Sequence, residues 1–270
     1  MDNRPIGVFD SGLGGLTAVK ELINIMPHEN IVYFGDTGRV PYGSRSRDTI
    51  TRYARQDVAF LKSKDVKMIV IACGTVSSVA GNIGEHIGIP YTGVLGPTVA
   101  AAVRATENKR IGVIGTTATI RSGSYRREIA AADPEITVFE QDCPLFVPLV
   151  ENGFIADNEE VTRLVAERYL ASMRGEGIDT LILGCTHYPI IQRIISAVIG
   201  PGVTLIDSGR ETALYCAGLL KEKELVNSRT DDGDCSFFVS DQTEGFSQIA
   251  EIFLGRDVKS DVSHVDINQY

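Results

Sequence analysis

Two of the five cysteines share one local setting. Cys73 follows the run Met68-Ile69-Val70-Ile71-Ala72 and precedes Gly74-Thr75. Cys185 follows Leu181-Ile182-Leu183-Gly184 and precedes Thr186-His187. Each apolar run reads as a buried strand, so each thiol falls at the carboxyl end of a parallel strand, where open α/β sheets bind ligands. A helix start beside each thiol offers free N–H groups and the positive end of a dipole, which stabilise a thiolate. The same N–H groups can hold a substrate carboxylate. A thiol with an ordinary pKa of about 8.5 serves as acid or base near neutrality after modest tuning. A lone cysteine beside a strand is ordinarily core packing. Two in equivalent places, each closely followed by a threonine, point to chemistry instead. Cys143, Cys216 and Cys235 lack this setting and read as structural.

Other polar residues gather near strand ends. Asp10-Ser11-Gly12 closes the first apolar run, and its carboxylate can orient a nearby acid or take its proton; helix capping is the plainer reading. The run from Gly35 to Gly43, GDTGRVPYG, is a polar loop in which Tyr42 can lend a hydroxyl or a backbone N–H to a ligand, or in which Pro41-Tyr42-Gly43 is merely a turn. His187, two residues past Cys185, can tune that thiol. Glu151 is either a solvated helix residue or the partner that fixes the His187 ring. Gly74, Thr75, Ser77, Ser78, Gly184 and Thr186 are small or hydroxylic, suiting close backbone approach to a ligand. DSGLGG does not match the dinucleotide spacing, and Cys185 with His187 lacks further ligands at metal-site spacing. No metal is expected.

Positioning these groups requires an alternation of strands and helices. Strands are predicted at 5–9, 31–34, 67–72, 91–94, 110–114, 136–139, 180–183 and 203–206, with helical patterns at 15–25, 46–63 and 158–173. Such alternation implies parallel sheets covered on both faces. An internal echo adds to this. PIGVFDSG (5–12) resembles RIGVIGTT (110–117), and VIACGTVSS (70–78) resembles LILGCTHYP (181–189). The same segments in the same order imply two related halves. Crossovers near Leu95-Gly96-Pro97 and Asp207-Ser208-Gly209 predict a first domain of residues 1–97 plus 208–270 and a second of 98–207, with a ligand cleft between them.

The bulk properties agree with a globular α/β protein. The chain has 270 residues, 43% apolar and 23% charged, with a net charge of −9. That balance disfavours nucleic acid as a partner. Neither a secretory signal nor a bilayer-spanning run is evident, so the expected location is the cytoplasm, with free thiols and no membrane.

Taken in order, IGVFDSGLGG, YFGDTGRVPYG, IACGTVSS, PLFVPLVENG, LGCTHYP and IDSGRETA resemble the glutamate racemases of the aspartate/glutamate racemase superfamily over nearly the whole chain. The resemblance implies two α/β domains around a central cleft, usually in a homodimer, and cofactor-independent interconversion of L- and D-glutamate. It also implies a supply of D-glutamate for peptidoglycan synthesis. Cys73 and Cys185 become the acid/base pair on opposite faces of one carbon, with Asp10 aiding Cys73, and Glu151 and His187 aiding Cys185. Ser11, Tyr42, Gly43, Thr75 and Thr186 fall where the family binds substrate, and Thr116 and Thr119 are additional contacts. One departure stands out: the family usually carries Asn after its first cysteine, and here Gly74 leaves only a backbone N–H. Losing one such ligand hydrogen bond costs about 0.5–1.5 kcal/mol. Two alternatives are a racemase for aspartate or another amino acid on the same fold, and a thiol-based redox sensor or binding protein.

Overall fold

The computed structural model describes residues 1–80, 83–84, 87–255, 258 and 261–270. Strands β1 (Ile6–Asp10), β2 (Ile31–Gly35), β3 (Met68–Ile71) and β4 (Tyr91–Gly93) alternate with helices α1 (Leu16–Ile25), α2 (Arg47–Ser63) and α3 (Gly74–Val79). Helix α4 (Leu95–Ala105) leads into β5 (Arg110–Gly115), α5 (Thr117–Ser122), α6 (Ser124–Ala132) and β6 (Thr137–Asp142). Next come α7 (Phe146–Glu151), α8 (Glu160–Arg174), β7 (Thr180–Leu183), α9 (Gln192–Ile199) and β8 (Thr204–Asp207). The chain closes with α10 (Ser208–Glu222), β9 (Cys235–Val239), α11 (Thr243–Leu254) and β10 (Val262–His264).

The strands form two sheets, ordered β10-β9-β2-β1-β3-β4 and β6-β5-β7-β8. Every pairing in both is parallel. The segment β2-β1-β3-β4 has the same strand order as β6-β5-β7-β8, so the echo heard in the sequence is a repeat of topology. β1 and β5 occupy matching central places, and β3 and β7 lie beside them. The eight expected strands are present. β9 and β10 join them, and both extend the first sheet from the last third of the chain.

Burial follows from the period-2 geometry of a strand. Along β3, Met68 and Val70 and then Ala72 enter one hydrophobic cluster, while Ile69, Ile71 and Cys73 enter another on the opposite face. Along β7, Leu181 and Leu183, and beyond them Cys185, join the first of these clusters, and Ile182 joins a third with α4 and α6. Each cysteine thus prolongs one face of its strand. Side-chain caps begin some of the helices. Ser46 accepts from the Thr49 N–H at α2, Thr116 from the Thr119 N–H at α5, and Asp207 from the Gly209 and Arg210 N–H groups at α10. Each satisfies donors the first turn leaves unpaired.

At the amino end of the first sheet, Lys67 is fully buried. Its Nζ lies 2.6 Å from Glu29 Oε2 and donates to the carbonyls of Asp2 and Leu225 at 2.7 Å each. Glu29 Oε1 accepts the Asn227 N–H at 2.8 Å. This cluster joins the chain's start to the segment that follows α10. Removing one member of a buried ion pair costs about 3–5 kcal/mol, whereas replacing both by apolar side chains is often neutral. Chemical denaturation should therefore show Lys67→Met destabilised by about that amount, and Lys67→Met/Glu29→Leu largely restored.

Candidate active site

The carboxyl ends of both sheets open on one cavity of about 700 Å³. From the first half it is lined by Asp10, Ser11, Tyr42, Gly43, Cys73, Gly74 and Thr75, and from the second by Thr116, Glu151, Cys185, Thr186 and His187. Its volume lies within the range of ordinary small-molecule sites. Cys73 and Cys185 are nearly buried, at 3% and 7% exposure, yet both line this wall.

The two thiols have different surroundings. The Cys73 thiol donates to Ser11 Oγ at 3.3 Å. Burial, with the Asp10 charge next in weight, pushes Cys73 up to about 12, so it rests as a thiol. Asp10 is itself buried, which raises its carboxyl above the usual range; the nearby His187 charge and backbone N–H groups oppose that shift. The Gly12 N–H donates to Asp10 Oδ2 at 2.9 Å. Cys185 instead faces His187, whose Nδ1 is 3.8 Å from its sulfur, while Nε2 is 2.9 Å from Glu151 Oε1. Burial works against protonation of His187, but the contacts with Cys185 and Glu151 outweigh it and raise the ring to about 10. A protonated ring puts a positive charge beside Cys185.

Close approach explains the glycines of the first loop. A β-carbon at Gly14 would fall 2.2 Å from Thr186 Oγ1 and 2.4 Å from His187 Nδ1. The Thr17 hydroxyl donates to the Thr186 carbonyl at 2.8 Å, which anchors that strand end from the opposite half. The rings of Phe253 of α11 and His187 meet nearly perpendicular, centroids 5.7 Å apart.

Tyr42 lines the cavity, but its hydroxyl is committed inward. It donates to Asp36 and lies 3.2 Å from Asp57 Oδ2. One hydroxyl proton cannot serve two carboxylates. Burial, with the Asp36 charge adding to it, raises Asp57 well above the carboxylate range, and a protonated Asp57 can donate to the tyrosine oxygen. Arg39 holds both acids, at 2.6 Å to Asp36 and 3.1 Å to Asp57. This network fixes the loop that carries Gly43. Tyr42 is thereby left to offer its backbone and ring, not its hydroxyl.

Thr119 is buried and does not line the cavity. It shares a hydrogen bond with Thr116 Oγ1 at 3.0 Å and so supports the wall from behind. Sequence reasoning missed Arg45 and Arg121, two exposed cations on the cavity lining, and Asp57 beneath Tyr42. The arginines lie in ordinary polar stretches. Asp57 was open to notice as an acid on the apolar face of α2, beside Ala54, Val58 and Leu61.

The raised His187 value has a definite sign. The charged contact with Glu151 is fully present below the ordinary histidine value of 6.5 and is lost as the pH rises through about 10. An NMR titration of the imidazole should place His187 in the alkaline range. Glu151→Gln, which removes one of the two raising contacts, should move the midpoint down; an unmoved midpoint would show that Glu151 does not hold the ring's charge.

Comparison with known proteins agrees with this geometry. The family model described as Asp/Glu/Hydantoin racemase matches residues 17–216. A glutamate racemase from Geobacter metallireducens is 46% identical over 253 residues, 93% of each chain. One from Streptococcus gordonii is 45% identical over 269 residues, 99% of this chain and 100% of the other. The crystal structure of the Francisella tularensis glutamate racemase in complex with D-glutamate superposes with a TM-score of 0.92 at 40% identity, covering 100% of both chains. With a family match of this extent and relatives this similar over nearly their whole length, the chain belongs to the aspartate/glutamate/hydantoin racemase family.

Proposed function

We propose that the chain is a glutamate racemase that interconverts L- and D-glutamate with Cys73 and Cys185 as its acid/base pair. The observation that carries this reading is that two nearly buried thiols, one from each half of the topological repeat, line one cavity. Inversion at carbon requires removal and return of a proton on different faces, and two sulfurs at the ends of opposed sheets are suited to that geometry. One cysteine, as thiolate, takes the α-proton; the other, as thiol, delivers a proton to the far face; the reverse reaction exchanges the roles. The residues beside each sulfur support an unequal starting pair, with the proton kept on Cys73 and a cation placed next to Cys185.

The α-proton is a far weaker acid than a thiol, so the carbanion needs stabilisation. Backbone N–H groups that follow each cysteine, beside two nearly buried thiols, are the available donors. Ser11, Gly43, Gly74, Thr75 and Thr186 are assigned to the substrate's polar groups, with Asp10 behind Cys73 and Glu151–His187 behind Cys185. Arg45 and Arg121 suit an anionic substrate at the mouth of an otherwise acidic protein. Residues 1–97 with 208–270 form one domain of this proposal and 98–207 the other. Homodimerisation and a role in supplying cell-wall D-glutamate complete it.

Among the described residues no helix is long and apolar enough to cross a membrane. Circular dichroism of either pure enantiomer should decay to zero with the protein alone. Removing a general acid or base costs roughly 10²–10⁴-fold, so Cys73→Ala and Cys185→Ala should each lose about 10³-fold or more. Full turnover by either variant would reject its role. Uptake of deuterium at the α-carbon in heavy water separates this chemistry from a redox-sensing thiol.

A further inference from the structure

Asp36 and Asp57 are both fully buried behind the loop that carries Tyr42 and Gly43. One guanidinium faces the pair. Arg39 donates through Nε to Asp36 Oδ2 and through Nη2 to Asp57 Oδ1, and its Nη1 donates to Gln56 Oε1 at 2.5 Å. Ser240, just past β9, donates to Asp36 Oδ1 at 2.7 Å. Asp36 thus accepts from Arg39, Tyr42 and Ser240. Asp57 accepts from Arg39 on one oxygen, while its other oxygen stands 3.2 Å from the Tyr42 hydroxyl oxygen, whose proton goes to Asp36. Two oxygens at that distance need a proton between them, and the phenol has no second one to give. A proton on Asp57 completes a chain of donors from Asp57 to Tyr42 to Asp36. It also leaves one buried carboxylate, in place of two, beside one cation. Burial of Asp57 and the neighbouring Asp36 charge favour the same state.

The loop held in this way reaches the other half of the molecule. A β-carbon at Gly43 would lie 3.5 Å from Thr116 Cβ, an ordinary contact distance, so the loop backbone sits against the start of α5. The Arg45 N–H donates to the Tyr42 carbonyl at 2.9 Å, so the turn that brings Arg45 to the cavity begins at the anchored tyrosine. The sulfurs' own contacts, Ser11 for Cys73 and His187 for Cys185, lie outside this network. We infer that Asp57 is a positioning residue for substrate binding: as a neutral acid it donates to Tyr42, and through Tyr42 it holds the Gly43–Arg45 turn against the cavity. This rests on the racemase reading above. Asp57 does not line the cavity, so its loss weakens binding more than proton transfer.

The test compares the wild type with Asp57→Asn and Asp57→Leu. An amide keeps an acceptor for Arg39 and offers an N–H where the neutral acid offers its O–H; leucine offers neither. Asp57→Leu is expected to raise the KM for glutamate about 10-fold or more with kcat within about threefold of the wild type, and Asp57→Asn to keep both within about threefold. Were Asp57 an ionised partner of Arg39, the amide would lose that charge and Asp57→Asn would be impaired like Asp57→Leu; that result overturns the inference. So does a wild-type KM in Asp57→Leu, or a fall in kcat larger than the rise in KM.

If Asp57→Leu does not fold, Tyr42→Phe carries the test. It keeps the ring but removes the hydroxyl that joins the two acids, and it should raise KM in the same way; an unchanged KM overturns the inference. Trypsin under native conditions reads the loop without reference to activity. Arg45 is exposed on the loop and Arg193 is exposed in the second half. Asp57→Leu should be cut faster than the wild type after Arg45 and at the wild-type rate after Arg193, with Asp57→Asn unchanged at both. Equal acceleration at both sites, or none after Arg45, overturns the inference. A wild type that leaves both enantiomers of glutamate unchanged sinks the racemase reading itself, and the tryptic comparison then still decides whether Asp57 holds the loop.

Discussion

Under the proposed chemistry the whole arrangement answers one constraint: reagents must reach a single carbon from opposite sides. A single parallel sheet presents its carboxyl edge in one direction only. Two sheets of the same strand order, with their carboxyl edges opening on one cavity, present two such edges to one space. The strand order β2-β1-β3-β4, repeated as β6-β5-β7-β8, puts the strand before Cys73 and the strand before Cys185 in equivalent places. The crossed hydrogen bonds, Thr17 to the Thr186 carbonyl and Ser124 to the Ser78 carbonyl, then let polar groups of one half satisfy the other where the halves meet.

Equivalence of backbone does not extend to charge. The Cys73 side is buried and carries an acid, Asp10, so burial and a like-signed neighbour both keep the proton on sulfur. The Cys185 side carries an imidazole braced by a carboxylate 2.9 Å away. The two halves thus share a strand order but differ in the charged groups set beside each sulfur.

The sequence made some of this legible and hid the rest for physical reasons. Buried parallel strands are continuous apolar runs, so β1 to β8 stood out, and the cysteines at two strand ends drew attention because the runs preceding them match. β9 was obscured by its half-exposed alternation after the acidic stretch at 231–234, and β10 is only Val-Ser-His with little burial. The six-residue helices α3, α5 and α7 are too short to show a 3.6-residue period. Thr119 lay next to the right residues yet turns its hydroxyl to Thr116 and not to the cavity. Tyr42 was singled out for a hydroxyl that belongs to Asp36 and Asp57. The two acids are distant in sequence, and only the packing of α2 against β2 brings them under one phenol.

Gly74 illustrates how one position can be read in opposite ways from sequence and from structure. As a motif residue it is a deletion, an amide lost where the family usually has one. In the folded chain it is a close contact, with the Gly184 carbonyl already occupying the space into which a side chain would begin to grow. A missing hydrogen bond to substrate costs about 0.5–1.5 kcal/mol. A β-carbon 2.7 Å from a backbone carbonyl oxygen requires a shift of the backbone on one side of the contact or the other.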